Sequence, residues 1–145
     1  MSLYVYDTNI VINYGPPNNL RGLLLSTVVL HELAAGANDD SELQLTERTR
    51  IEADKANKLL TPTMMDWWEA GKVLYRLRQG KKSKAKGKTP KMSVEEVQRI
   101  VRDVMIARTV KRATATLVTD NIKDFQLIKR FCSVKVISGA DFFGH

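Results

Sequence analysis

The sequence predicts an α/β sandwich built on a mainly parallel central sheet. Short, uninterrupted apolar runs recur along the chain, longer stretches of helical character separate them, and helix-starting residues stand directly after several of the runs. Strands that alternate with helices in this way pack as a parallel sheet flanked by helices.

Leu3–Tyr6 is an apolar run of the kind that forms a buried parallel strand. Asp7 ends it, and Asp7-Thr8-Asn9 can cap a helix carrying Ile10, Val11 and Ile12. Gly15-Pro16-Pro17-Asn18-Asn19 then breaks the chain. Leu23–Leu25 reads as a second strand, and Ser26 or Thr27 caps a helix to about Gly36. Residues 41–60 read as one charged amphipathic helix, with Leu43, Ile51, Ala56, Leu59 and Leu60 on its apolar side. After Thr61-Pro62-Thr63, a helix runs from Met64 to about Leu77 with Trp68 and Leu74 in the core. Ser93 and Glu96 form an S-x-x-E capping box, which starts a helix at Val94 that ends near Arg112. Ala115–Val118 is a strand, Asn121–Arg130 a helix and Val134–Ile137 the last strand. No internal repeat interrupts the pattern, so residues 1–145 are expected to form a single domain.

Composition narrows the class. With 43% apolar and 27% charged residues, the chain has the balance of a soluble globular protein. Apolar runs such as Val28–Leu30 fall far short of the ~20 residues of a membrane span. The first residues lack the layout of a signal peptide, so a cytoplasmic location is expected. A single cysteine, Cys132, excludes an internal disulfide, and no His/Cys cluster has zinc-ligand spacing. The glycines form no nucleotide-triphosphate loop.

The charge is uneven. Lysine and arginine number 23 against 16 acids, and nine of those bases fall between Ala70 and Val94, where there is no acid. Without them, the remaining 14 bases and 16 acids leave a slightly negative chain. Gly80–Lys91 has no large apolar residue and reads as a mobile basic loop at about 79–92. Arg76, Arg78, Lys81, Lys82, Lys84, Lys86, Lys88 and Lys91 are therefore candidate contacts for the phosphates of a nucleic acid. A solvated charge run is the plain alternative.

Carboxylates stand where apolar residues are expected. Asp7 and Asp120 each follow a strand at its carboxyl end, where α/β sheets gather their chemistry; both can equally be helix caps. On a helix, Glu32 is flanked by Val28, Val29, Ala35 and Gly36, and Asp103 by Ile100, Ile106, Ala107 and Arg99. Asp124 precedes Phe125 and shares a face with Leu127 and Ile128, although a first-turn acid also suits the helix dipole. Burying a lone carboxylate costs several kcal/mol or raises its pKa until it is neutral. Structural salt bridges, to Arg99 or Arg102 for instance, are one remedy. A divalent cation shared by Asp7, Glu32, Asp103 and Asp124 is the other, and an all-oxygen set favours Mg²⁺ or Mn²⁺ over zinc. Such an ion beside a basic loop points to phosphodiester hydrolysis.

These segments are also familiar as a set. Tyr6-Asp7-Thr8-Asn9-Ile10, then Ser26 with His31-Glu32-Leu33-Ala34-Ala35-Gly36, then Asp103 with Ile106-Ala107, then Leu117-Val118-Thr119-Asp120-Asn121 ending at Asp124-Phe125, resemble the PIN-domain family. More narrowly they resemble VapC-type toxins of toxin–antitoxin pairs. The resemblance covers residues 3–36 and 95–128 and is faint from Trp68 to Tyr75. It implies a three-layer α/β/α fold, Mg²⁺- or Mn²⁺-dependent endoribonuclease activity on RNA, homodimers, and inhibition by a small cognate antitoxin. By position it implies Asp7, Glu32, Asp103 and Asp124 as the catalytic, metal-holding acids, with Thr8, Ser26, Thr119 and Asn121 as polar support. Many relatives carry an acid where this chain has Asn121, so either Asp120 or Asp124 completes the set, and the Asp124-Phe125 context favours Asp124.

Other features read plainly. His31 points roughly 100° round the helix from Glu32, and His145 is terminal. Trp67 and Trp68 can stack on bases, but neighbouring Met64, Met65 and Ala70 favour packing or a dimer face. Three rival functions stand beside this reading, and only the last fits the sequence less well. They are a nucleic-acid-binding module with an inactive acidic site, an RNA-processing nuclease that is not a toxin, and a phosphoryl-accepting signalling domain. The last needs adjacent acids after the first strand, where Thr8 and Asn9 follow Asp7.

Overall fold

The computed structural model describes residues 2–84 and 91–144, with side chains as far as Lys81 in the first segment. Its elements are β1 (Tyr4–Tyr6), α1 (Thr8–Tyr14), β2 (Leu23–Ser26), α2 (Thr27–Ala35), α3 (Asp40–Lys55) and β3 (Leu59–Leu60). They continue as α4 (Met64–Lys84), α5 (Val94–Arg112), β4 (Thr116–Val118), α6 (Ile122–Leu127), β5 (Val136–Ile137) and α7 (Gly139–Phe143). The five strands lie in the order β3-β2-β1-β4-β5, and every pairing is parallel. The expected α/β class is the observed one.

Alternation along the strands builds three layers. Val5, Leu24 and Leu117 share one face, because Val5 is in register with both of the others. They join Ala70 and Val73 of α4 and Ile100, Val104, Met105 and Val110 of α5 in the main core. Leu25 and Leu59, also in register, point the other way and pack with Leu20, Leu30 and Ala53 of α3. On that side Tyr4 and Tyr6 meet the rings of Phe142 and Phe143 of α7, and Tyr14 of α1 stacks on Phe143. Helices thus cover both faces, as a parallel sheet requires.

Local rules set the helix ends. The side chains of Asp7, Ser26, Asp39, Ser93 and Ser138 cap α1, α2, α3, α5 and α7 respectively. Of the capping box predicted for Ser93 and Glu96, the cap half is present, the Glu96 amide donating to Ser93 Oγ at 3.0 Å, while the Glu96 carboxylate accepts from Lys81 instead. Thr63 and Asp66 make a reciprocal box at the start of α4: the Thr63 amide donates to Asp66 Oδ2 at 2.8 Å and the Asp66 amide to Thr63 Oγ1 at 3.3 Å. Asp66 is fully buried and also accepts from Arg108 Nε at 2.7 Å and from Arg112. Burial works to raise its carboxyl, but the Thr63 amide and the two arginines outweigh burial and hold it below the usual carboxylate range.

Several expectations need correction. The helix expected over 41–60 stops at Lys55, because Asn57 adopts the left-handed region at φ 57° and turns the chain into β3. Its expected apolar side is wrong too: Leu43 and Ile51 are exposed, and Ala53 is the buried residue. Trp68 is 61% exposed rather than in the core, since Asp66, Ala70 and Val73 set the buried face of α4. Residues 79–84 of the expected basic loop are helical, as α4 continues through Gly80 to Lys84. One glycine costs about 1 kcal/mol against alanine, too little to end a helix rich in lysine and arginine. Residues 85–90 of that loop lie outside the described residues. The short α7 was not expected at all. Among the described residues, no helix is long and apolar enough to cross a membrane.

Candidate metal centre

The strand order reverses across β1 and β4: β2 and β3 lie beyond β1, β5 beyond β4. In open α/β sheets this crevice, at the carboxyl ends of the strands, is where sites form. Asp7 follows β1 there, and Thr119 follows β4; the Asp7 amide donates to the Val118 carbonyl at 3.0 Å across the two strands.

Asp7 is fully buried and held from several sides. Its Oδ1 accepts from the Thr8 amide at 2.8 Å, and its Oδ2 from Thr119 Oγ1 at 2.8 Å and Asn9 Nδ2 at 3.2 Å. Thr119, also fully buried, receives Asn9 Nδ2 at 3.3 Å and the Asn121 amide at 3.0 Å. Asn9 Oδ1 in turn accepts from the Asp120 amide at 3.0 Å, so this asparagine clasps the ends of both strands. Glu32, half-buried on α2, accepts from Thr8 Oγ1 at 3.0 Å. Asp103 reaches the same place from the buried face of α5.

One guanidinium joins the three acids. Arg102 donates through Nη2 to Asp7 Oδ1, through Nε to Glu32 Oε1, and through Nη1 to Asp103 Oδ1 at 2.5 Å. Burial works against the Arg102 charge, yet the three carboxylates outweigh it and hold the guanidinium above its ordinary pKa. Burial also pushes the Asp103 carboxyl up to about 7; the Arg102 charge pulls it down, and Asp7 and Asp124 push it up again.

Two of the candidate acids, Glu32 and Asp124, line a cavity of about 1150 Å³, with Asp7 and Asp103 buried behind it. Thr8, Glu32 and Arg102 line its floor, and Asp124, Arg99 and Trp67 also face it. The choice between the two candidate acids on the β4 side is visible here. Asp124 lines this cavity and bears on the charge of Asp103, whereas Asp120 Oδ1 accepts from the Gly139 amide at 2.9 Å. Asp120 thus fastens α7 to the sheet.

The expected polar residues divide by task. Thr8, Asn121 and Thr119 sit at the acidic cluster. Ser26 makes no hydrogen bond to the acids among the described residues: it is buried as the cap of α2, its Oγ accepting from the Val29 amide at 3.4 Å, and it lines a separate cavity with Thr8 and Glu32. The basic candidates whose side chains are described, Arg76, Arg78, Lys81 and Lys91, are not at the cavity wall. Arg76 and Arg78 are exposed along α4, Arg76 beside Arg130 and Phe131. Lys81 pairs with Glu96 at 2.7 Å, and Lys91 is exposed. Lys86 and Lys88, and the side chains of Lys82 and Lys84, lie outside the described residues. Cys132 is buried, and burial pushes its thiol up to about 11, which makes it inert.

Asn9 and Trp67 are the members that sequence reasoning did not place at the site; Arg102 is expected there as one of two salt-bridge partners for Glu32 and Asp103, and its bond to Asp7 is the addition. Asn9 carried a signal, since an asparagine just after a strand-end aspartate can bridge to a neighbouring strand.

Among the described residues, no set of three or more His, Cys, Asp or Glu side chains is spaced to hold a metal ion as the side chains now stand. Arg102 is the reason, because its nitrogens lie between the carboxylates. The donor set itself fits Mg²⁺ or Mn²⁺: it is all oxygen, it is partly buried, and it already encloses a positive charge.

Comparison with solved structures places this architecture. A chain of FitAcB from Neisseria gonorrhoeae superposes with a TM-score of 0.57 at 19% identity, over 94% of this chain and 98% of that one. A chain of VapBC2 from Rickettsia felis, bound to a DNA fragment from its promoter, gives 0.55 at 22% identity, over 94% and 98%. A chain of FitAB bound to an IR36 DNA fragment gives 0.56 at 19%, over 94% and 95%. The chain has a PIN-like fold. No family model matches the sequence, and no curated protein does; at these identities the likeness lies in the fold. Nearly the full length of each chain is matched, so the PIN-like domain accounts for essentially all of the elements described above.

Proposed function

We propose that this protein is a Mg²⁺- or Mn²⁺-dependent endoribonuclease that hydrolyses RNA phosphodiester bonds. The observation that carries the reading is the convergence of Asp7, Glu32 and Asp103, from β1, α2 and α5, around one positive charge, with Asp124 facing the same cavity. The PIN-like fold and the resemblance of the four acidic segments support it.

Asp7, Glu32, Asp103 and Asp124 would hold the ion directly or through water. Bound there, it supplies a polarised phosphate oxygen and a water acidified to a usable nucleophile. The protein's part is positional. Thr8, Asn9 and Thr119 fix both Asp7 oxygens, so the carboxylate meets the ion without first having to reorient. A cation held there would favour the charged form of Asp103, whose carboxyl burial otherwise pushes up. Arg99 at the wall offers charge to the substrate backbone, and Trp67, 61% exposed, offers a face for a base.

A cognate antitoxin belongs to the same proposal, supported by the resemblance to VapC-type toxins and the likeness to VapBC and FitAB chains; a homodimer belongs to it on the resemblance alone. A binding module with an inactive acidic site has one observation in its favour, the arginine seated among the acids.

The two readings part in a single assay. Purified protein with single-stranded RNA is expected to cleave with Mg²⁺ or Mn²⁺, to stop on chelation, and to resume when the ion is restored. RNA binding without cleavage under every ion condition contradicts the nuclease and favours the module.

A further inference from the structure

Arg102 and Asp103 are adjacent on α5, so their side chains leave the helix roughly 100° apart. The guanidinium nevertheless turns back to Asp103 and uses its remaining nitrogens on Asp7 and Glu32. Nε, Nη1 and Nη2 are each taken by a carboxylate from a different element. Bonds between ionised partners are the strong ones, and this residue makes three. Arg99, one turn earlier, lines the same cavity and has no carboxylate bond among the described residues. The arrangement is therefore particular to Arg102 and is not a general clustering of bases near acids.

Four carboxylates brought together without a cation repel one another, and a side chain that supplies the cation keeps the ion-free protein folded around its own site. The same bonds occupy oxygens that an ion needs. We infer that Arg102 is a built-in counter-ion, which a divalent ion must displace from Asp7, Glu32 and Asp103 before it can bind. This rests on the metal-dependent reading proposed above. The Arg102 side chain is 18% exposed and borders the open cavity, so it has a way out that requires no movement of α5. Because only the fraction of molecules with the guanidinium displaced can accept the ion, apparent ion affinity is lowered by that fraction.

The test is calorimetric titration of Mn²⁺ into the wild-type protein, Arg102→Gln and Arg99→Gln, without RNA. Arg102→Gln is expected to bind at least about 5-fold more tightly than wild type, the low end of ordinary coupling between two ligands, with Arg99→Gln much closer to wild type. Binding with equal affinity in all three overturns the competition and leaves the metal site standing. An equal gain in both variants also overturns it, since that is general charge repulsion. Absence of Mn²⁺ binding in wild type and Arg102→Gln alike overturns both readings. Should Arg102→Gln fail to fold, the wild type decides by NMR: the Arg102 Nε–H signal, held by Glu32, is expected to shift as Mg²⁺ saturates the site. A signal unmoved at saturation overturns the inference.

Discussion

Replacing Asp7 by asparagine is expected to lower RNA cleavage at least about 100-fold while the protein stays folded. Changing residues that merely orient ligands typically costs roughly 10–100-fold, so loss of a carboxylate that holds the ion sits at or beyond the upper end. Asparagine keeps an oxygen for the Thr8 amide, and Arg102 keeps Glu32 and Asp103, so the local hydrogen bonds survive in large part. The charge that Asp7 brings to the ion does not. Asp103→Asn should behave in the same way. The check is single-turnover cleavage of a labelled RNA at saturating Mg²⁺, with circular dichroism to confirm the fold. Cleavage at the wild-type rate by either variant contradicts the assignment.

The second large effect concerns stability and lies away from the site. Asp66→Ala is expected to cost about 3 kcal/mol at pH 7. It removes charge-assisted bonds to Arg108 and Arg112, each worth roughly 1.5–3 kcal/mol, together with half of the Thr63 capping box. Both arginines keep some exposure and can return to water, which keeps the cost below a full sum. The pH dependence follows in sign. The folded-state pKa of Asp66 lies below its unfolded value, so its contribution is complete above about pH 4 and is lost as pH falls through the folded value. Urea unfolding at pH 7 and at pH 2–3 should therefore show the gap between wild type and variant narrowing in acid. A gap that is absent at pH 7, or unchanged in acid, contradicts this role.

Much of the fold was legible because local signals agreed with the tertiary outcome. Asp7, Ser26 and Ser93 stand where caps are needed, and each starts the helix that sequence assigns to it. The acids were legible for a different reason. A carboxylate on an apolar helix face, as at Glu32 and Asp103, has to find a cation, and this requirement is visible before any contact is known. What sequence could not provide was the choice between Arg99 and Arg102 as that cation, or that one guanidinium serves three acids. Both arginines stand on α5 close to Asp103, and only the meeting of the end of β1 with α2 and α5 gives Arg102 three partners. Sequence favoured Asp124 over Asp120 only through the Phe125 beside it, without a structural reason. Their difference rests on Gly139 of α7, a helix of five residues with too little periodicity to detect. The end of α3 was missed because Asn57, not glycine or proline, makes the turn.

The central claim is that these acids form a divalent-ion site, and crystals grown with Mn²⁺ test it most directly through anomalous diffraction at the manganese edge. The account predicts an anomalous peak bounded by oxygens of Asp7 and Asp103, with Glu32 or Asp124 near it and Arg102 turned into the cavity. A map without a peak there at saturating Mn²⁺, with Arg102 still bound to all three carboxylates, contradicts it.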